Sequence, residues 1–557
     1  MPPPHPHSRS LGPARLGTSL GLVLLALGCQ GDSAARRELA SIERLFDSAR
    51  YVRDQLNAAR ELAAPASPHG VPVALLDSVG RSLWRHVGER ADSLPEAALD
   101  SADRAALVRI RERVELIQWD SETPAATPAA CPVRSWSDDE SLDAFADRVL
   151  ACYALAADLI VVDGDTLDRQ TILTLLSTTP SPARRERLFR ALEGVWRSVD
   201  GDGRPGGSPY RELVRRRRLA WRTEDSPFDR RPRRLGIEPG EAERWMVAGL
   251  EAWRRLLPDT LIEPWSYHYA AGAASRALES RIPKDSLLPV TRRYFAALGA
   301  RPDSLGVRYD LEPRLGGTAG AFAEFGARSL PWGPGWVRSE PLVFGSYRTG
   351  GLANLVELLH ETGHAVHIAA IDTRPAFHDW PDSDLFTETV ADLASFEAYE
   401  PGWQLAYLGD SVPLHVALRD KYASIMFDMA WALFDLRVHR DGAAAPNEVW
   451  TEIATRYLGI RPHPELSWWA MRMQLVVWPG YMMNYALGAF VVAELRAEIE
   501  RRIGPITVEN QAWYREASAG LFRHGAEVRS RLVLHRFLGG PPTPDALLAD
   551  LARIAGR

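Results

Sequence analysis

The amino-acid sequence predicts a mostly α-helical protein with a small β-sheet beside one central helix. Apolar residues recur at helical spacing through much of the chain, as in Leu39, Ile42 and Leu45. Strand-like runs are few, and the clearest is the short apolar segment 341–345. Of the 557 residues, 46% are hydrophobic and 25% are charged, which is typical of a globular protein. This composition excludes disordered, collagen-like and polytopic membrane proteins.

The charge balance predicts no nucleic-acid partner. The chain has 66 Lys and Arg against 72 Asp and Glu, a formal net charge of −6. Nucleic-acid-binding domains usually carry a strongly basic face, which this balance does not indicate. No sequence feature points to a protein partner either.

The N-terminus has the form of a bacterial targeting signal. Arg9 and Arg15 precede a short apolar run at 20–27, which is too short to span a bilayer. The run ends in Ala26-Leu27-Gly28-Cys29, which resembles the lipobox of bacterial lipoproteins. The resemblance implies a signal peptide at 1–28, lipidation of Cys29 and membrane tethering in the cell envelope, outside the cytoplasm. Ordinary secretion and an uncleaved anchor are the alternatives.

The rest of the chain divides into a helical region at 29–130 and a larger one at 131–557. The Pro- and Thr-rich stretch 123–128 is the best boundary between them. In the larger region, helical patterns cover 143–176 and 182–199, and a Gly-rich stretch at 316–320 precedes the predicted sheet. Cys131 and Cys152 make an even count after Cys29, and either a disulfide or two buried thiols fits the sequence.

The helix predicted at 352–368 contains the motif His360-Glu361-Thr362-Gly363-His364. Residues four apart lie on one helix face, so His360 and His364 can bind one zinc ion with Glu361 beside it. Zinc lowers the pKa of a bound water to about 7, and a neighbouring carboxylate can take the proton. The alternative is an amphipathic helix with two partly exposed histidines.

A second predicted helix supplies two acids at the same spacing, Glu388 and Asp392. A catalytic zinc ion needs a third protein ligand, and we assign Glu388 to that role. Asp392, one turn later, can accept a hydrogen bond from the far nitrogen of a liganding histidine and fix its tautomer.

This arrangement, with 23 residues between His364 and Glu388, resembles the gluzincin zinc peptidases. Within them, 358–367 resembles the signature of the thimet oligopeptidase and oligoendopeptidase F family. The segments 317–322, 340–347 and 479–488 also resemble that family's Gly-rich loop, its strand before the zinc helix and its tyrosine segment.

The resemblance implies a two-lobed helical molecule with a deep substrate channel, an active site within 340–490 and one zinc ion. It implies hydrolysis of short peptides. Tyr485, and secondarily Tyr481, would donate a hydrogen bond to the oxyanion. The backbone of Val343, Phe344, Gly345 and Ser346 would pair with an extended substrate, and the loop 316–320 would close over it.

Two alternative functions stay open at this point. The 23-residue gap and the pair Glu388 and Asp392 also resemble the angiotensin-converting-enzyme family, which removes C-terminal dipeptides. A non-catalytic peptide-binding lipoprotein on the same scaffold is the alternative from another class. The sequence also departs from the oligopeptidase pattern, because 471–477 has no histidine before the tyrosine segment.

Overall fold

The computed structural model describes residues 34–62, 64–117, 131–204, 206–222, 225–313, 321–328, 330–332, 335–337, 339–442 and 444–555. The predicted signal peptide at 1–28, the lipidation site Cys29, the boundary at 123–128 and the loop 316–320 lie outside these residues.

The N-terminal part forms a layer of three helices with an apolar core of its own. Phe46, Trp84 and Leu107 are buried in that core, one from each helix. The helices are α1 (Ala34–Glu61), α2 (Val73–Ser93) and α3 (Ser101–Leu116). Asp100 caps α3 by accepting a hydrogen bond from the backbone N–H of Asp103.

In the described residues between this layer and the sheet there are ten α-helices and one hairpin. Several begin with a Ser cap followed by Pro in the first turn, as at Ser181 and Ser208, because Pro has no N–H to leave unpaired there. The helices are α4 (Leu142–Asp158), α5 (Arg169–Thr178), α6 (Pro182–Ala191), α7 (Glu193–Asp200), α8 (Pro209–Ala220), α9 (Pro227–Arg233), α10 (Pro239–Arg254), α11 (Tyr267–Ala271), α12 (Ala273–Leu278) and α13 (Leu287–Ala297). Strands β1 (Ile160–Val162) and β2 (Asp165–Leu167) form the hairpin.

The predicted small sheet is present beside the central helix. Its strands are β3 (Arg308–Asp310), β4 (Ala321–Ala327) and β7 (Glu340–Gly345), and a separate hairpin consists of β5 (Leu330–Trp332) and β6 (Gly335–Val337). The order is β3-β7-β4, with β3 parallel and β4 antiparallel to β7. Strand β7 therefore lies in the middle of the sheet.

The C-terminal half is helical. The central helix α14 packs on β4, β7 and α15, and the long helices α17 and α20 are buried along much of their length. The helices are α14 (Leu352–Ala370), α15 (Asp384–Ser395), α16 (Pro401–Leu408), α17 (Leu414–Arg440), α18 (Pro446–Leu458), α19 (Gln474–Val477), α20 (Met482–Ile503), α21 (Trp513–Ala517), α22 (Ser530–Leu538) and α23 (Asp545–Ile554). In the described part of the chain, no helix is both long and apolar enough to cross a membrane.

Cys131 and Cys152 form a disulfide. Of the two alternatives that the sequence left open, the structure has the disulfide and not two buried thiols. The bond joins the residues before α4 to the middle of that helix. The described fold is thus helical with small sheets, as the sequence predicts.

Candidate metal centre

Helix α14 presents its His and Glu side chains on one face toward α15. Glycine at position 363 permits this contact, since a Cβ there would lie 2.3 Å from the backbone oxygen of Ala391. Helix α15 begins at a Ser383 cap, whose hydroxyl accepts a hydrogen bond from the N–H of Phe386. The close packing of α14 and α15 brings the two halves of the predicted site together.

The structure places the three predicted zinc ligands next to one another. Glu388 Oε2 lies 3.3 Å from His360 Nε2 and 3.8 Å from His364 Nε2. One donor atom from each residue falls within 4.8 Å of the others. Two imidazoles and one carboxylate are the donor set of catalytic zinc sites, and the fourth position remains for water. The residues therefore fit a zinc ion.

The electrostatics of these side chains also fit a cation. Burial raises the pKa of Glu388, but hydrogen bonds to His360 and His364 outweigh it and hold that pKa well below its ordinary value. Burial lowers the pKa of His360, but the Asp392 and Glu388 carboxylates raise it well above the ordinary value. An anionic Glu388 is the state that a metal ligand requires.

Asp392 lies where the sequence predicts it, behind His360. Its Oδ1 is 2.7 Å from His360 Nδ1, on the ring nitrogen that faces away from Glu388. The Ser395 hydroxyl donates a second hydrogen bond of 2.7 Å to the same Asp392 oxygen. This chain of contacts fixes the orientation of His360 and leaves its Nε2 for the metal.

Glu361 is 8% exposed and lies on the site face of α14, between the two histidines. Burial raises the pKa of its carboxyl, and the charges of His360 and His364 partly offset this. Glu361 thus lies beside both metal-binding histidines, which is the place expected of a general base.

The two predicted tyrosines also lie at the site. Tyr481 donates a hydrogen bond of 3.2 Å to Glu388 Oε1, and its ring centroid is 5.8 Å from that of Tyr485. The turn before them is fixed because the Gly480 N–H donates to Asp435 Oδ2 at 2.7 Å. Asp435 is fully buried and also accepts a hydrogen bond from Tyr210.

The predicted substrate strand requires a correction. The backbone of Val343 and Phe344 is paired on both sides, with β3 on one edge and β4 on the other. Gly345 pairs with Ala321, and Ser346 follows the end of β7. A peptide therefore cannot add as a strand to Val343 and Phe344. In the described sheet, β3 and β4 are the two edge strands, and each has β7 as its neighbour on one side only.

Several residues of the site were not predicted from the sequence. Asp435 acts through a contact with Gly480 that only the fold creates, whereas Ser395 lies three residues after Asp392 on the same helix, a spacing that the sequence does show. Glu357, in contrast, has a sequence signal, because it precedes Glu361 by four residues and so shares its helix face. Arg472 forms an ion pair with Asp428.

Comparisons with known proteins identify the fold. No family model matches the sequence, and no curated protein matches it. Among solved structures, metallocarboxypeptidase 1 of Trypanosoma cruzi is 15% identical, with a TM-score of 0.55, over 93% of this chain and 99% of that one. The M32 carboxypeptidase of Deinococcus radiodurans R1 is 13% identical, with a TM-score of 0.58, over 94% of this chain and 100% of that one. The carboxypeptidase of Pyrococcus furiosus is 14% identical, with a TM-score of 0.57, over 93% of this chain and 98% of that one.

These likenesses show that the chain has the helical, two-lobed fold of M32 metallocarboxypeptidases. The predicted fold class is therefore confirmed. At 13–15% identity they bear on the predicted resemblance through the fold alone. They do not support its narrower part, since the three proteins are carboxypeptidases and not thimet oligopeptidases or oligoendopeptidases F.

Proposed function

We propose that the protein is a zinc-dependent peptidase that hydrolyses short peptides. One observation carries the proposal: His360, His364 and Glu388 converge within 4.8 Å, with the Glu361 carboxyl on the same helix face. His360, His364 and Glu388 would hold one zinc ion. The bound ion would supply Lewis acidity and a water that loses its proton near neutral pH.

The chain's own residues supply the proton transfers and the orientation. Glu361 accepts a proton from the attacking water at its carboxylate and delivers it to the leaving amine. Tyr481 donates to Glu388 and so orients that ligand. We therefore assign Tyr485 as the donor to the developing oxyanion of the peptide. An extended peptide would add to the free edge of one of the two outer strands, β3 or β4.

The position of the cleaved bond defines two candidate modes. Internal cleavage is the mode implied by the resemblance to thimet oligopeptidase and oligoendopeptidase F. Cleavage at the C-terminus is favoured by the structural neighbours, which are carboxypeptidases by name. Of the two, we favour the C-terminal mode, with release of single residues or of dipeptides.

The experiment is product mapping by mass spectrometry on a pool of peptides of about 5 to 20 residues, since a confined site favours short chains. Residues 30–557 are compared with Glu361→Gln, which removes the proton acceptor but no metal ligand. We expect C-terminal products from the zinc-loaded wild type and a loss of about 10³-fold in kcat/KM in the variant. Internal cuts would favour the oligopeptidase mode instead. Equal inactivity of both proteins with one zinc bound would contradict catalysis and favour peptide binding.

We also propose that the protein is a lipoprotein of the bacterial cell envelope, anchored through Cys29. The charged and apolar pattern of the N-terminus supports this, and the Cys131–Cys152 disulfide fits an oxidising compartment. Growth with a labelled fatty acid tests it. We expect label in the wild-type protein and none in Cys29→Ser, and an unlabelled wild type would contradict the proposal.

A further inference from the structure

Trp478 is an exposed aromatic side chain at the turn before the two site tyrosines. It is 46% exposed, and among the residues whose burial the structure describes no other Trp, Tyr or Phe is as exposed. Trp478 also belongs to none of the apolar clusters that the described residues form. Single apolar side chains are common on protein surfaces, so exposure alone carries no meaning. The neighbours of Trp478 supply the second observation.

Three aromatic rings lie in a row that runs from Trp478 to the metal centre. The ring centroids of Trp478 and Tyr481 are 5.4 Å apart, and those of Tyr481 and Tyr485 are 5.8 Å apart. Tyr481 also donates its hydrogen bond of 3.2 Å to Glu388 Oε1. Both tyrosines are partly exposed. The row therefore forms an aromatic surface that leads from the exposed indole to a predicted zinc ligand.

The backbone holds the indole at this place. The Trp478 N–H donates to the carbonyl oxygen of Gln474, and the Trp478 carbonyl oxygen accepts from the Tyr481 N–H, both at 2.9 Å. Gly480, in the same turn, has a φ of +76° and donates its N–H to the buried Asp435 carboxylate. A side chain on a fixed backbone loses less conformational entropy when a ligand covers it.

The distances place the indole within reach of a peptide bound at the metal centre. The path from the indole to Glu388 consists of the 5.4 Å ring separation, half a tyrosine ring with its hydroxyl and the 3.2 Å hydrogen bond. An extended peptide advances about 3.4 Å per residue, so about three residues cover this path. A peptide side chain that close to the cleaved bond can lie against the indole.

The chemistry of an indole favours an aromatic side chain as the group that covers it. Aromatic rings stack or meet edge to face, and their contact adds to the free energy gained by burying apolar area. A cation gains less at an exposed ring, because water screens its charge. We propose that Trp478 is a specificity-determining residue that binds an aromatic side chain of the peptide within about three residues of the cleaved bond. This inference rests on the proposed function for the identity of the ligand as a peptide.

The test measures peptide binding, so it does not depend on cleavage. Zinc-loaded Glu361→Gln is titrated by calorimetry with acetylated, Ala-rich peptides of about six residues that end in a free carboxylate. Each position in turn carries Phe, Lys or Ala. We expect one position at which the Phe peptide binds about tenfold more tightly than the Ala peptide. At that position the Lys peptide should bind within about twofold of the Ala peptide.

The same titrations are repeated in Glu361→Gln with Trp478→Ala added. We expect the preference for Phe to fall to within about twofold, whereas Trp478→Phe, which keeps a ring, should retain a preference of about fivefold. Leu405→Ala is the matched control, since Leu405 is an exposed apolar residue on α16, and it should leave the preference unchanged. Zinc content and the thermal midpoint should be equal in all these proteins, because Trp478 does not pack in a core.

Three results would overturn the inference. They are the absence of any position that prefers Phe in Glu361→Gln, a Phe preference that survives Trp478→Ala, and a Lys preference at that position that Trp478→Ala removes. Product mapping with wild type tests the proposed function separately. Binding with a Phe preference but without cleavage would contradict the peptidase and keep the subsite, and cleavage without the preference would do the reverse.

Discussion

Asp392 fixes the orientation of the His360 imidazole. Its carboxylate is 2.7 Å from His360 Nδ1, and Ser395 holds that carboxylate in turn. In Asp392→Asn the charge behind the imidazole is lost, so the ring becomes a weaker ligand. We expect the zinc dissociation constant to rise by about 10- to 100-fold, measured by competition with a chelator.

Ser395→Ala is the graded control, since it removes a hydrogen bond to Asp392 but leaves the carboxylate. Its effect on zinc affinity should be the smaller of the two. An Asp392→Asn protein with wild-type zinc affinity would contradict the role given to Asp392.

At the residue scale, local spacing determined what the sequence could predict. His360 and His364, and likewise Glu388 and Asp392, lie four residues apart on single helices, so helix geometry alone places each pair on one face. Contacts such as Gly480 to Asp435 join residues 45 positions apart. No local pattern reports such contacts.

At the element scale, the spacing between α14 and α15 decides whether Glu388 reaches the histidines. Position 363 must be Gly, because a Cβ there would meet the backbone oxygen of Ala391 at 2.3 Å. Gly363→Ala should push the helices apart, with a loss of about 1–3 kcal/mol in the free energy of unfolding. Zinc affinity should fall as well, and urea unfolding and chelator competition measure the two effects.

Gly194→Ala on α7 is the matched control for Gly363→Ala. A Cβ at Gly194 meets no atom within 4 Å, so the change should be neutral or stabilise the helix by about 0.5–1 kcal/mol. Equal behaviour of the two variants would contradict the packing role of Gly363.

The contact between α17 and α23 predicts a pH dependence of stability. Asp550 on α23 accepts a 2.6 Å hydrogen bond from Tyr422 and lies 3.5 Å from Lys421 Nζ. Burial raises the pKa of Asp550, but the Lys421 charge and the hydrogen bonds from Tyr422 and Arg553 lower it to about 2. Because this folded-state pKa is below the ordinary 3.8, the contribution is present above about pH 4 and is lost as the pH falls through about 2.

Asp550→Asn removes that contribution, so its destabilisation should depend on pH. We expect a loss of about 2 kcal/mol in the free energy of unfolding at pH 6, and a loss about 1 kcal/mol smaller at pH 3. Urea unfolding at the two pH values measures both numbers. A difference from wild type that is the same at both would contradict the assignment.

The register and neighbours of β7 show where sequence reasoning ends at the element scale. The apolar run predicts the strand itself, because its residues fit a buried sheet. Strand β7 is central because β3, which lies about 30 residues earlier in the chain, pairs with it in parallel. Parallel partners are joined by long connections that leave no short-range signal, so the sequence could not show that Val343 and Phe344 are paired on both sides.

At the scale of the whole molecule, the fold class follows from helical periodicity, which persists through most of the chain. Helical periodicity does not predict how the N-terminal layer packs against the rest of the protein. That layer contacts the segment between α14 and α15, and Ala376 from this segment is buried in the layer's own core. Such an interface depends on charges and shapes that meet only after folding.

Arg374 is one of the described residues that join the N-terminal layer to the segment between the two metal-centre helices. It lies between α14 and α15 and donates to Glu43 at 2.8 and 3.0 Å and to Asp103 at 2.8 Å. Both acids are buried, and Arg374→Ala would remove the Arg374 charge from each of them, leaving Asp103 with the exposed Arg36 at 3.5 Å. We expect a loss of about 3 kcal/mol in the free energy of unfolding and faster proteolysis of residues 34–117. Urea unfolding and limited trypsin digestion measure these effects, with the exposed Arg44→Ala on α1 as control. A midpoint and a cleavage rate equal to those of the control would show that Arg374 does not help to hold the layer in place.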